Sequence, residues 1–333
     1  MSSSQPSRKH LPEKPSPENL KKQAKGLAKR EHLRLADHKV KKPIDHARQG
    51  TTVDKKDIIE LLDRPVIRDP VFKSAVKAIQ TGSLAALKKL LAEHPNLVHD
   101  RAIEPDCYPP TYFSNPKLIW FVADNPNLIE TMPTNTLKIT QAIIDAGAER
   151  DDLNYTLELV ATSRPAREQN LQRPLMELLM KAGARVTETA MYVTLGHWER
   201  DAVQTMLDAG QPMTAPIAAG MGRTEDLKQL LSAASEEMKY AALSMAVINR
   251  QLAAAEFCID AGADVNRFLL VHSHSLPVHQ AAVNDDVPML KLLVERGAKL
   301  DIRDTLWNAT PLGWAIHTKK PAAEVYLRSV HAP

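Results

Sequence analysis

The densest concentration of groups able to do chemistry is the run Val271-His272-Ser273-His274-Ser275-Leu276-Pro277-Val278-His279. Two imidazoles at i and i+2 on a turn, with a third five residues on, offer nitrogen donors of the kind zinc takes. No cysteine or carboxylate lies at ligand spacing beside them, so no metal is expected. Paired carboxylates, the raw material of general acid–base work, occur at Asp151-Asp152 and Asp285-Asp286. Both pairs fall between helical segments and read as solvated turn residues and helix caps. Gly220-Met221-Gly222 has the start of a phosphate-cradling loop, but it lacks the third glycine and a preceding strand, which makes it a helix–helix connection. No Gly-x-Ser-x-Gly, His-Glu-x-x-His, Cys-x-x-Cys or Walker phosphate loop occurs. Neither an active site nor a cofactor is expected.

The elements that must carry these groups repeat. One phrase recurs as Asp145-Ala-Gly-Ala-Glu149, Lys181-Ala-Gly-Ala-Arg185, Asp208-Ala-Gly-Gln211, Asp260-Ala-Gly-Ala-Asp264 and Glu295-Arg-Gly-Ala-Lys299, each after an apolar helical stripe such as Met289-Leu-Lys-Leu-Leu-Val294. Leu87-Lys-Lys-Leu-Leu-Ala92 fills the same slot without its glycine, and Leu227-Lys-Gln-Leu-Leu-Ser232 marks another helix of the type. A glycine directly after such a stripe fits the left-handed position that ends a helix. Upstream lies a second, small-residue-rich helix, as in His279-Gln-Ala-Ala-Val283 or Tyr240-Ala-Ala-Leu-Ser-Met-Ala-Val247. The unit is helix, turn, helix, loop. Its apolar stripe is too narrow to close a core alone, so stability must come from stacking.

These residues resemble the ankyrin repeat. Thr310-Pro311-Leu312-Gly313-Trp314-Ala315 and Leu276-Pro277-Val278-His279-Gln280-Ala281-Ala282 match its Thr-Pro-Leu-His-x-Ala-Ala start, with Gly313 for the His in one and Leu276 for the Thr in the other. Ala261-Gly262-Ala263-Asp264-Val265-Asn266 matches its end, and Pro277 and Pro311 lie 34 residues apart, against a family period of about 33. The resemblance implies an all-α solenoid of about eight units over residues 66–333. Insertions interrupt it between His94 and Ile119 and from Ser163 to Arg173, and units are shortened from Thr187 to Ala234. It also implies that His279 hydrogen-bonds backbone and fixes a turn.

The 333 residues carry a formal net charge of +3, unevenly spread: residues 1–56 hold 15 Lys+Arg against 6 Asp+Glu, a net +9, leaving −6 on the other 277. Residues 1–65 form a basic arm. Met1 to Pro17 is expected to be disordered, and a helix is expected from Pro17, capped by Ser16. Asp57-Ile-Ile-Glu-Leu-Leu-Asp63 is a candidate linking helix. The phrase Leu20-Lys-Lys-Gln-Ala-Lys25 resembles a leader ahead of ankyrin arrays in some bacterial proteins, which implies a bacterial source. Two distant cysteines, Cys107 and Cys258, suggest a reducing compartment. No apolar run approaches the roughly 18 residues of a membrane helix, and no secretory h-region opens the chain. A cytoplasmic monomer is expected.

Function then rests on binding. In ankyrin arrays the loop tips and the exposed face of each first helix line a groove where protein partners dock. Carried onto this chain, that face comprises Arg267, Phe268, His272, Val283 and Asn284 in one unit and Arg303, Thr305, Trp307, Asn308 and His317 in the next. Aromatic and Arg residues carry a disproportionate share of binding energy. Trp307 is either such an anchor or packing across the last repeat boundary. Tyr108, Tyr112 and Phe113, in the Pro- and aromatic-rich insertion, form a second patch that either binds or covers the array's end. Trp120 and Phe121 read as core. The alternative function is nucleic-acid or anionic-surface binding through Lys21, Lys22, Lys25, Lys29, Arg30 and Arg34.

Overall fold

The structure, a computed structural model, describes residues 67–102, 112–113, 115–129 and 131–332. The basic arm with its expected helices, Cys107 and Tyr108 lie outside the described residues. Among the described residues the chain is all helix and turn; the one β feature is an isolated antiparallel bridge between Arg101 and Lys117. None of the helices among the described residues is long and apolar enough to cross a membrane. The chain divides into two compact units between Glu149 and Arg150.

In the first unit, helix α1 (Pro70–Gln80) starts at Asp69, whose carboxylate accepts the Phe72 N–H at 2.6 Å, and pairs with α2 (Leu84–Glu93). Helix α3 (Thr136–Asp145) stacks on α2. Its partner is not a second α-helix but the 3-10 segment Leu118–Ala123, every residue of which is buried. That segment is the apolar run Leu-Ile-Trp-Phe-Val-Ala, and no polar residue interrupts it to provide a solvent face. Trp120 and Phe121 are therefore core, as the sequence suggests.

The second unit stacks helix pairs in chain order. Helix α4 (Arg150–Ala161) is continued by the short α5 (Arg164–Glu168) and pairs with α6 (Gln172–Lys181). Then come α7 (Glu188–Gly196) with α8 (Arg200–Asp208), α9 (Ala215–Met221) with α10 (Thr224–Leu231), and α11 (Glu236–Ile248) with α12 (Leu252–Asp260). The last pairs are α13 (Pro277–Val283) with α14 (Val287–Glu295) and α15 (Pro311–His317) with α16 (Pro321–Ser329). The segment from Ser163 is thus not a loose insertion. Ser163 accepts the Ala166 N–H and restarts the first helix for one more turn.

The five repeated glycines do what their position predicts. Gly147, Gly183, Gly210, Gly262 and Gly297 all have φ between 87° and 101°. At the last four, the N–H after the glycine bonds the carbonyl five residues back, as Ala263 N to Cys258 O and Ala298 N to Leu293 O do at 3.0 and 2.9 Å, which satisfies a carbonyl the helix end leaves open.

Within each pair a second left-handed turn recurs that the sequence does not announce. It is centred on Gly82, Asn170, Trp198, Gly222, Arg250, Asp285 and Lys319, all at φ between 54° and 72°. The next N–H returns five residues each time: Ser83 to Ala78, Leu171 to Ala166, Glu199 to Thr194, Arg223 to Ala218, Gln251 to Ala246, Asp286 to Ala281 and Lys320 to Ala315. Small residues at the accepting position let the second helix close on the first.

Candidate partner-binding surface

The Thr-Pro-Leu-His start can satisfy two open helix donors reciprocally, and here each unit keeps one half. Thr310 Oγ1 accepts the Gly313 N–H at 3.2 Å. Leu276 has no side-chain acceptor; instead its own N–H donates to His279 Nδ1 at 3.3 Å. The other ring nitrogen of His279 lies 3.1 Å from Ala309 O, so it donates there. Burial lowers the proton affinity of His279 and keeps the ring neutral, against the Ala309 bond and Asp304. His279 is thus the turn-fixing residue expected from the resemblance. No group of three or more His, Cys, Asp or Glu among the described residues is arranged to hold a metal ion.

The carboxylate pairs correct one expectation. Asp286 caps α14 by accepting the Met289 N–H at 3.1 Å, and Asp285 accepts the Ala323 N–H at 2.7 Å. Asp152 and Asp286 are buried rather than solvated: they sit in helix starts packed under neighbouring turns, where a carboxylate meets the positive end of the helix. Of Gly220-Met221-Gly222, the first two residues close α9 and only Gly222, at φ 72°, lies in the α9–α10 connection, so the connection is shorter than the sequence suggests. Cys258 is buried in the α12 core, and burial pushes its thiol up to about 12, far from nucleophilic use.

The loop between α14 and α15 presents two large exposed apolar side chains side by side. Leu306 and Trp307 are each 57% exposed, while the backbone beneath them is fixed by one buried carboxylate. Asp304 accepts N–H bonds from Leu306 (2.8 Å), Trp307 (2.6 Å) and Ala309 (2.8 Å) and from the Trp314 indole (3.0 Å). Burial alone would raise the proton affinity of Asp304; bonds from Trp307, Trp314, Ala309 and Leu306 outweigh it and hold the carboxyl below its ordinary value. Trp307 stands edge-on to Trp314 and His274, with centroids 5.3 and 5.1 Å away. It therefore does both things the sequence allows: it packs at the last boundary and keeps most of its ring in solvent. Arg303 donates to Asn308 O at 2.8 Å, and the Thr305 N–H donates to His274 O at 2.9 Å.

The residues carried over in the preceding unit are spread more widely. Phe268 is 38% exposed, and Leu270 beside it, not picked out from sequence, 43%. Arg267 is engaged by Glu237 at 2.6 Å and lies over the Tyr240 ring, 4.4 Å from its centroid. His272 is not free in a groove: its Nε2 is 3.3 Å from Gly196 O. Val283 and Asn284 are half-buried, and the Asn284 amide donates to Ile248 O at 3.4 Å. That carbonyl also takes the Trp198 indole N–H at 2.8 Å. Here α9, buried from Ala215 to Gly220, lets α7 and α11 meet. His317 is exposed, next to Ile316, also exposed and also missed.

In the first unit, Tyr112 is exposed and its hydroxyl reaches Asn125 Oδ1 at 3.2 Å. Phe113 is a correction. It is buried, with its ring against Phe121 at 5.3 Å and Trp120 at 6.1 Å, because the apolar Leu118–Ala123 segment needs a cover that the polar insertion supplies at this residue. Phe113 belongs to the core and not to a contact face.

Of the candidate surface, the aromatic tip is legible in the sequence; Asp304, the residue holding that tip, is not. Its only sequence signal is an aspartate two and three residues before exposed apolar residues. No curated protein is significantly similar to the chain. The family model of the ankyrin repeat matches residues 275–305, the stretch that holds α13, α14 and the start of the Asp304 loop. The chain thus carries an ankyrin repeat at residues 275–305, and its other helix pairs with glycine-ended second helices follow the same plan.

Proposed function

We propose that the chain is a non-catalytic protein-binding module that docks a partner on the loop tips of its last two pairs, with Trp307 and Leu306 as central anchors and Phe268, Leu270 and Ile316 beside them. The observation that carries this reading is a pair of large apolar side chains held in solvent on a loop where the N–H groups of Thr305, Leu306, Trp307 and Ala309 already have partners. Such a surface loses little conformational entropy on binding, so a few anchors suffice. Arg267, Arg303, Thr305, Asn308 and His317, polar residues of the same two pairs, supply the polar contacts in this reading, and Tyr112 is an exposed candidate in the first unit. The module acts as a cytoplasmic monomer in this reading. Trp307→Ala is expected to weaken partner capture by about thirtyfold, the scale of a 2 kcal/mol anchor, at unchanged melting temperature. Equal capture by wild type and variant removes the tip from the interface.

A second reading rests on the +9 charge of residues 1–56: Lys21, Lys22, Lys25, Lys29, Arg30 and Arg34 bind nucleic acid or another anionic surface. It requires a mobility shift that weakens steeply with salt and disappears when residues 1–56 are deleted.

A further inference from the structure

The loop between α12 and α13 is longer than a turn needs, and its middle reaches back to α7, more than 70 residues earlier. Val271 packs on Gly196 so closely that a Cβ there would lie 2.6 Å from Val271 Cγ1. His272 bonds the Gly196 carbonyl from a left-handed backbone at φ 61°. The rings of His197, His272 and His274 form a row with centroids 6.3 and 6.2 Å apart. The row ends where His274 stacks on Trp314 at 5.7 Å. One end of the loop is thereby tied to α7 and the other to α15.

The charges around this row are few. Asp304 acts on His274 and on the buried His279 below Trp314. At the base of the loop Arg267 is paired with Glu237. In the α7–α8 turn Glu199 is held by Arg167 and Gln172, and Arg200 donates to Met221 O. From the end of α11, Arg250 faces Asp286 at 3.6 Å. His197 and His272 thus stand beside each other, while the carboxylates of these elements serve other partners.

We propose that the Arg267–Ser275 loop is an acid-released strap: it lies on the end of α7 at neutral pH, and it leaves when neighbouring rings of the row become charged together. The hydrogen bond to Gly196 O survives protonation, since an imidazolium still donates, so the release comes from repulsion along the row and from the cost of charging partly covered rings. Burial first and the charge of His272 second lower the proton affinity of His197; the same two causes lower that of His274, against Asp304. Groups lowered in the docked state favour docking fully above their free value, about 6.5, and that contribution is lost as pH falls through the docked values. Release uncovers Gly196 and frees Phe268 and Leu270 to move. The strap does not depend on the tip reading, because it is measured without a partner.

The test is amide hydrogen exchange of residues 267–276 in the full chain at pH 7.5 and 5.5, corrected for intrinsic rates, with 242–248 in α11 as an internal standard. The expected result is about tenfold faster exchange of the loop at pH 5.5, with the α11 standard unchanged. His272→Asn, which tolerates the left-handed backbone and carries no charge, is expected to abolish that pH dependence. Gly196→Ala is expected to exchange fast at both pH values, because its methyl displaces Val271. Loop exchange independent of pH, acceleration shared by α11, the full wild-type pH response in His272→Asn, or wild-type protection in Gly196→Ala at pH 7.5 would each overturn the strap.

Discussion

The loops before α13 and α15 begin and end alike and present opposite surfaces. Each follows a glycine in the left-handed region, Gly262 at φ 97° and Gly297 at φ 87°, and each leads into a helix opened by proline, Pro277 and Pro311. The first loop spends its central side chains on its own molecule, seating Val271 and His272 on the end of α7. The second turns its backbone inward onto Asp304 and leaves Leu306 and Trp307 outside. The helix frame is common to both; what differs is where the loop's polar backbone finds its partners. A repeat fold therefore fixes where a loop starts and stops, while a single acceptor inside it decides whether the loop offers a surface or consumes one.

The sharpest way to break this contrast is Asp304→Ala. It strands three backbone N–H groups and an indole N–H, so we expect a loss of about 3 kcal/mol or more, read by denaturant unfolding, and loss of protection across residues 305–309. A stability within experimental error of wild type would mean that the Asp304 bonds do not hold the tip. The pH response separates the loops further. Because the Asp304 carboxyl is held below its ordinary value, its contribution is complete above about pH 4 and disappears as pH falls through the lowered folded value. The Leu306, Trp307 and Ala309 N–H groups should therefore stay protected at pH 5.5, where the strap is expected to let go.

Gly262→Ala and Gly297→Ala test the part the loops share. No atom lies within 4 Å of a Cβ built at either position, so the cost is the left-handed backbone alone, about 1–2 kcal/mol for each. Unequal costs would show that the two frames are not equivalent. The smallest expected effect is that of Asn266→Ala. Asn266 donates to Gly297 O at 3.0 Å and accepts the Lys299 N–H at 2.7 Å, tying the start of the first loop to the end of α14. Its loss should lower stability by about 1 kcal/mol without altering exchange at 271–274.

Much of the frame was legible because its signals are local. A glycine at φ near 95° has no cheap substitute, so the five repeated glycines announce five helix ends. The turn inside each pair left no such mark: Trp198, Arg250, Asp285 and Lys319 take the same backbone as Gly82 and Gly222. Packing and the returning N–H bond impose that conformation, and local preference is overridden. The same limit hid half of the candidate site. An aromatic in a loop tip stands out in sequence, and Trp307 and Phe113 stand out equally, although Trp307 is exposed and Phe113 belongs to the core. Its burial depends on Phe121 and Trp120, which the chain brings to it only by folding.

By itself the sequence determined most of the helix pairs, their glycine ends and the position of the two loops, because each follows from residue types a few positions apart, while the turn-fixing place of His279 is what the resemblance to the ankyrin repeat implies. Only the tertiary structure decided that Asp304 gathers four donors, that α9 is covered so that Trp198 reaches Ile248 O, and that Val271 finds Gly196. The reason is reach. Backbone preferences and helix stripes act over one or two turns of chain, whereas a buried acceptor or a missing Cβ has meaning only through the distant group that folding delivers to it.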